Sequence, residues 1–171
     1  ERLNKPLNDI IAITMPGFGT TDRTYNNAVK MCKLIGCDFR EIDIKEICNK
    51  QFKLLNIDHE NHNTTYENVQ ARQRTMLLMN ISNNEGGIVI GTGDLSEIAL
   101  GWSTYNGDHM SMYSVNCGVP KTLIRYLIEW YANRSDSSLK HTLLDIIDTP
   151  VSPELLPPDK QGSISQKTED I

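Results

Sequence analysis

The chain reads as an α/β protein built on a parallel sheet, and three observations carry that reading. Ile10 to Met15 is a short, largely apolar run that stops at Pro16-Gly17, the pattern of a strand covered on both faces. Phe39 to Ile44 and Ile88 to Ile90 are two further strand-like runs, and stretches with helical spacing separate them. Such alternation indicates parallel strands joined by helices, with ligands at the carboxyl ends of the strands.

Each element has a local cause. After the first strand, Thr21 or Asp22 caps a helix whose core face carries Ala28, Met31, Cys32 and Ile35, and Gly36 closes it. The strand from Phe39 to Ile44 leads into a helix from Lys45 to Leu55. Asn56 to Thr64 is polar and reads as a loop. A long helix is expected from Thr65 to Ser82, with Val69, Met76, Leu77 and Met79 facing the core. Asn84-Glu85-Gly86-Gly87 breaks it before the strand Ile88 to Ile90. Two more helices fall at Pro120 to Ala132, with the face Leu123, Leu127 and Trp130, and at Leu139 to Ile147, before Thr149-Pro150. Residues 151–171 are rich in proline and polar groups and read as a loop or flexible tail.

Composition narrows the partners. The 171 residues are 39% hydrophobic and 23% charged, ordinary for a globular domain, with a net charge of −5. That balance leaves no basic footprint for a nucleic-acid backbone. No apolar run approaches the ~20 residues that cross a bilayer, so a cytoplasmic protein with no membrane partner is expected. Cys32, Cys37, Cys48 and Cys117 have no paired spacing and read as small, partly buried side chains. His59 and His62 lack further metal ligands nearby and read as loop residues.

The stretch from Gly91 to Trp102 carries the most chemistry. Gly91-Thr92-Gly93 follows an apolar run and opens into a helical pattern, and amides left free at a helix start attract anions. Thr92 adds a hydroxyl, Asp94 and Glu97 two carboxylates, and Trp102 an indole, a set suited to a nucleotide with magnesium. Asp94-x-x-Glu97 serves equally as a capping box.

Several blocks, in order, resemble the synthetase domain of glutamine-dependent NAD synthetases. They are Met15 to Thr21, Tyr66-Glu67-Asn68-Val69-Gln70-Ala71-Arg72, Gly91 to Trp102, Gly107-Asp108-His109-Met110, Val119 to Ile124, and Gln166 to Asp170. The resemblance implies a Rossmann-like, adenine-nucleotide alpha-hydrolase fold of the ATP pyrophosphatase kind. It implies that ATP adenylates deamido-NAD and that ammonia then displaces AMP to give NAD. In the long form of the family a separate glutaminase domain supplies that ammonia. The family's Ser-Gly-Gly-x-Asp-Ser pyrophosphate loop does not occur in these residues. The chain therefore reads as a partial synthetase domain, lacking the first strand and that loop, and inactive by itself.

Roles follow from the resemblance. Met15, Thr92, Lys121 and Ser152 fall where the family binds ATP, with Lys121 set to stabilise the departing pyrophosphate. Glu97 falls where it holds magnesium or deamido-NAD. Asn68, Arg72, Trp102, Tyr105 and Asp108 match its deamido-NAD contacts. Lys121 and Glu97 are the residues expected to act in catalysis, and a homo-oligomer is expected of the parent. Two other readings stand beside this one. One is a different ATP pyrophosphatase, such as a GMP or asparagine synthetase; the other is a non-catalytic nucleotide-binding or interaction domain.

Overall fold

The computed structural model describes residues 5–58, 61–149 and 155–156. It divides into two compact units, one made of residues 1–43 and 125–171, the other of residues 44–124. Each is built around a short parallel pair of strands.

In the first unit a single 3-10 turn (Leu7–Asp9) leads into β1 (Ile11–Thr14), followed by α1 (Asp22–Ile35) and β2 (Asp38–Glu41). β1 and β2 pair in parallel with Ile11 opposite Asp38 and Thr14 opposite Glu41. Parallel strands need such a crossover, because a tight turn cannot reverse the chain's direction twice. Thr21 caps α1 by accepting from the Thr24 amide, and Gly36 ends it at φ 82°, a left-handed angle that glycine adopts without strain. β1 was expected to be covered on both faces, but Ile11 to Thr14 are only half-buried. It belongs to a two-stranded sheet, which has no central strand to bury.

α5 (Lys121–Ala132), which straddles the boundary between the units, and α6 (Ser137–Ile147) complete the helices. Ala132, Leu139 and Leu143 are buried together, with Met31, Ile35, Ile128 and Leu144 packed around them. The expected α5 face is corrected here, because Leu123, Leu127 and Trp130 are 46%, 51% and 54% exposed. The small Ala132 side chain, fully buried, lets the other side of the helix approach closely. The Arg134 guanidinium lies 4.1 Å from the Trp130 ring centre. At the start of α1, Arg23 makes a two-pronged contact with Asp145, with Nη2 2.6 Å from Oδ1 and Nε 3.2 Å from Oδ2. Asn27 also donates to Asp145.

The second unit holds α2 (Lys45–Leu54), α3 (Thr64–Glu85), β3 (Ile90–Gly91), α4 (Leu95–Leu100) and β4 (Tyr113–Ser114). Ile44, Cys48 and Phe52 are fully buried, and Phe52 stacks on Tyr66 of α3 with ring centres 5.0 Å apart. α3 was expected to bury Met76, which is 46% exposed; Leu77 and Met79 are half-buried. Val69 is buried as expected, and Tyr66, Gln70, Ala71, Gln73 and Thr75 share its buried face. Buried amides demand partners, and Gln73 Oε1 accepts from Gln51 Nε2 at 2.7 Å. α3 runs past Ser82 to Glu85 and stops where Gly86 takes φ 64°. β3 pairs in parallel with β4, Ile90 opposite Tyr113, a two-residue strand that the sequence reading did not contain. Of the cysteines, Cys32 and Cys48 are buried as expected, while Cys117 is exposed.

Candidate functional site

The second unit places most of the sequence-predicted residues around one strand–turn–helix. β3 ends at Gly91, Thr92 and Gly93 make the turn, and Asp94 caps α4. A side chain at Gly91 would collide with Oγ and Cβ of Ser111, so the close approach of residues 111–114 requires glycine there. The capping box is fully formed. Asp94 Oδ1 accepts from the Glu97 amide and Glu97 Oε2 accepts from the Asp94 amide, both at 3.0 Å. The Leu95 amide donates to Val119 O at 3.1 Å. Three amides expected to be free for an anion are therefore already bonded. For two of them the reason is local: Asp94 and Glu97 stand three residues apart, where each carboxylate reaches the other's amide.

Lys121, the first residue of α5, closes the arrangement. Its Nζ donates to Glu97 Oε1 at 3.1 Å and lies 3.4 Å from Asp94 Oδ2, while its own amide donates to Ser96 Oγ at 3.1 Å. Partial burial works to lower the Lys121 pKa, but hydrogen bonding and charge from Glu97, then Asp94, outweigh it and hold the ammonium above its ordinary value. Asp94, nearly fully buried, is the member of this cluster not among the predicted site residues.

The residues expected on the acceptor side meet around the loop after α4. Arg72 Nε donates to Tyr105 O at 3.1 Å. Asn68 Oδ1 accepts from Thr104 Oγ1 at 2.9 Å, and Asp108 Oδ1 accepts from the Thr104 amide at 2.7 Å. Asn68 and Arg72 share one face of α3, as a four-residue spacing requires. Trp102 and Tyr105 are exposed, and Tyr105 lies against His109 with ring centres 6.0 Å apart. A cleft of about 350 Å³, open to solvent, is lined by Gly91, Gly93, Glu97, Asp108, His109 and Ser114 among others. Thr104 and His109 had no role in the sequence reading; their polar groups adjoin Asp108, the signal that would have found them.

Met15 is buried just beyond β1 in the first unit, and Ser152 lies outside the described residues. Among the described residues no cluster of three or more His, Cys, Asp or Glu is placed to hold a metal. Asp94 and Glu97 do converge on a single cation, the Lys121 ammonium. A magnesium ion bound with substrate phosphates needs only one or two such hard oxygen ligands from the protein, so this pair fits one. No described helix is long and apolar enough to cross a membrane.

Short parallel strand pairs with crossover helices and a glycine turn at the end of β3 define a mixed α/β domain of the adenine-nucleotide alpha-hydrolase kind. The chain belongs to the NAD synthase family, whose sequence profile matches residues 5–139. It is 43% identical over 176 residues to the glutamine-dependent NAD(+) synthetase of Mycobacterium leprae (strain TN), covering 99% of this chain and 26% of that protein. The chain thus spans about a quarter of the length of the curated relatives it matches. Among solved structures it is similar to the glutamine-dependent NAD+ synthetase from Acinetobacter baumannii in complex with adenosine diphosphate. That match has a TM-score of 0.70 and 28% identity, over 77% of this chain and 26% of that one. NMN synthetase from Francisella tularensis shares the fold at TM-score 0.72 and 20% identity, over 94% of this chain and 60% of that one.

Proposed function

We propose that this chain is part of a glutamine-dependent NAD synthetase, a ligase that adenylates deamido-NAD with ATP and amidates it with ammonia. The products are NAD, AMP and pyrophosphate, and a glutaminase domain of the parent supplies the ammonia. The observation that carries this reading is the convergence of Asp94, Glu97 and Lys121 beside the loop held by Asn68 and Arg72, in a chain of this family. The triad supplies both charges needed to handle a triphosphate, and the loop carries the groups that would hold an acceptor.

In this reading the chain acts by positioning and charge. Lys121 holds the leaving phosphates and Thr92 offers its hydroxyl to the nucleotide; Met15 and Ser152 keep the nucleotide role that the family resemblance gives them. Glu97, with Asp94, holds magnesium, which when bound neutralises phosphate charge. Glu97 and Asp94 are the residues that would hold the metal, which would leave the Lys121 ammonium for the phosphates. Arg72 pairs with a phosphate or carboxylate of deamido-NAD, Asn68 and Asp108 bond its polar groups, and Trp102 and Tyr105 offer exposed rings for stacking. Self-association of the parent and a cytoplasmic location, which suits its soluble substrates, belong to the same reading.

The test is to supply the full-length protein with ATP, magnesium, deamido-NAD and ammonia, and to measure NAD and AMP. Equal formation of both is expected. AMP formed only with a different acceptor would keep the adenylation chemistry and overturn the substrate. The chain alone, without a Ser-Gly-Gly-x-Asp-Ser run, is expected to form neither product. A second reading has one observation in its favour: both Glu97 oxygens are bonded within the protein, as in a purely structural cap. A folded full-length protein without turnover would put that reading first.

A further inference from the structure

We propose that Thr104 is the positioning residue of the acceptor side of the cleft, setting the donor and acceptor pattern that Asn68, Asp108 and His109 present. The proposal rests on the reading above only in taking that pattern to face deamido-NAD. Thr104 uses all of its polar groups on these three side chains. Its hydroxyl donates to Asn68 Oδ1 at 2.9 Å. An amide has one acceptor end and one donor end, so anchoring the carbonyl leaves the NH2 as the group on offer. The Thr104 amide donates to Asp108 Oδ1 at 2.7 Å, which fixes the carboxylate and leaves its second oxygen available.

The third contact sets a tautomer. His109 Nδ1 lies 2.8 Å from Thr104 O, and a carbonyl only accepts, so Nδ1 carries the proton. In the neutral ring Nε2 is then an acceptor. Asp108 and His109 both line the cleft, so it is given two acceptors whose orientation depends on one residue. Such a pair suits the hydroxyls of a ribose, and the Asn68 NH2 suits a carbonyl or carboxylate oxygen. Gly107 makes the arrangement possible. Its amide also donates to Thr104 O at 2.9 Å, and a Cβ at that position would come within 2.9 Å of Thr104 Cβ.

The experiment compares Thr104→Val with Thr104→Ser in the full-length protein. Valine keeps the shape and both backbone contacts but removes the bond to Asn68; serine keeps the hydroxyl. Thr104→Val is expected to raise KM for deamido-NAD about tenfold, the worth of one oriented hydrogen bond. Its kcat should stay within about twofold and its KM for ATP should not move, since no ATP contact depends on this hydroxyl. Thr104→Ser should restore the wild-type KM. Equal rises for both substrates, or no rescue by serine, would overturn the proposal. A second arm reads Thr104 without turnover, through the Asn68 side-chain amide resonances of the full-length protein. They should shift in the valine variant and stay in the serine variant, and unmoved resonances would overturn the positioning role. If the wild-type protein does not amidate deamido-NAD, the functional reading falls, and this arm alone decides what Thr104 does.

Discussion

Lys121 Nζ lies 3.1 Å from Glu97 Oε1, and this contact joins the start of α5 to the first turn of α4 across 24 residues of chain. It gives Glu97 two duties, as the back-bonding half of a capping box and as the partner of a cation. The duties separate by substitution. Glu97→Gln keeps an oxygen that can accept from the Asp94 amide but removes the charge. The half-exposed ion pair is worth roughly 0–1 kcal/mol, so stability should change little. Formation of NAD by the full-length protein should fall about a hundredfold or more, as for other removed electrostatic groups. Wild-type turnover by this variant would leave Glu97 a cap and nothing else.

Asp94 tests the structural half of the same cluster. Asp94→Ala removes the acceptor for the Glu97 amide and should cost ~1–2 kcal/mol, read as a lower urea midpoint. Asp94→Asn keeps that acceptor and should recover most of the loss. Equal destabilisation by both would mean that the pairing with Lys121, rather than the cap, holds α4.

The acceptor role proposed for Arg72 comes from the family resemblance, and Arg72 also holds the loop through Tyr105 O. Arg72→Ala should raise KM for deamido-NAD by about tenfold or more while KM for ATP stays within about twofold, as expected when a charge-assisted bond to one substrate is lost. Similar increases for both substrates would return Arg72 to holding the loop.

Acid should loosen the first unit through Asp145. Hydrogen bonds from Arg23, then Asn27, hold its carboxyl below the ordinary carboxylate range. A carboxylate with a lowered folded pKa contributes stability that is fully present above its unfolded value, about 3.9, and is lost as pH falls through the folded one. Asp145→Asn should therefore be less stable than wild type at neutral pH, with the gap closing as pH drops below about 4. Denaturant midpoints measured across that range check it, and a constant gap would refute the assignment.

Size exclusion with light scattering tests the α5 stripe in the full-length protein. Leu127→Glu places a charge on the exposed row of Leu123, Leu127 and Trp130 without touching the buried Ala132. It should lower the assembly state while leaving the unfolding midpoint nearly unchanged, since exposed substitutions usually act within about 0.5 kcal/mol. An unchanged mass would place self-association elsewhere.

Features that depend on a turn or two of backbone were legible in the order of residues. Thr21 and Gly36 bound α1, Gly86 stops α3, and Asp94 with Glu97 caps α4, because each satisfies amides or angles a few residues away. The ordered motif blocks also made the family legible, and residues 5–139 match it. Which faces are buried came from packing between distant segments. Met76 on α3 and Leu127 on α5 have the right chemistry for a core, yet Gln73 and Ala132 take those places because of what packs opposite them. Only the tertiary structure also brought Lys121 to Asp94, and Thr104 to Asn68 across 36 residues, contacts that depend on how the chain closes rather than on local preference. The site's residue types are written in the sequence, and their orientation is a property of the fold.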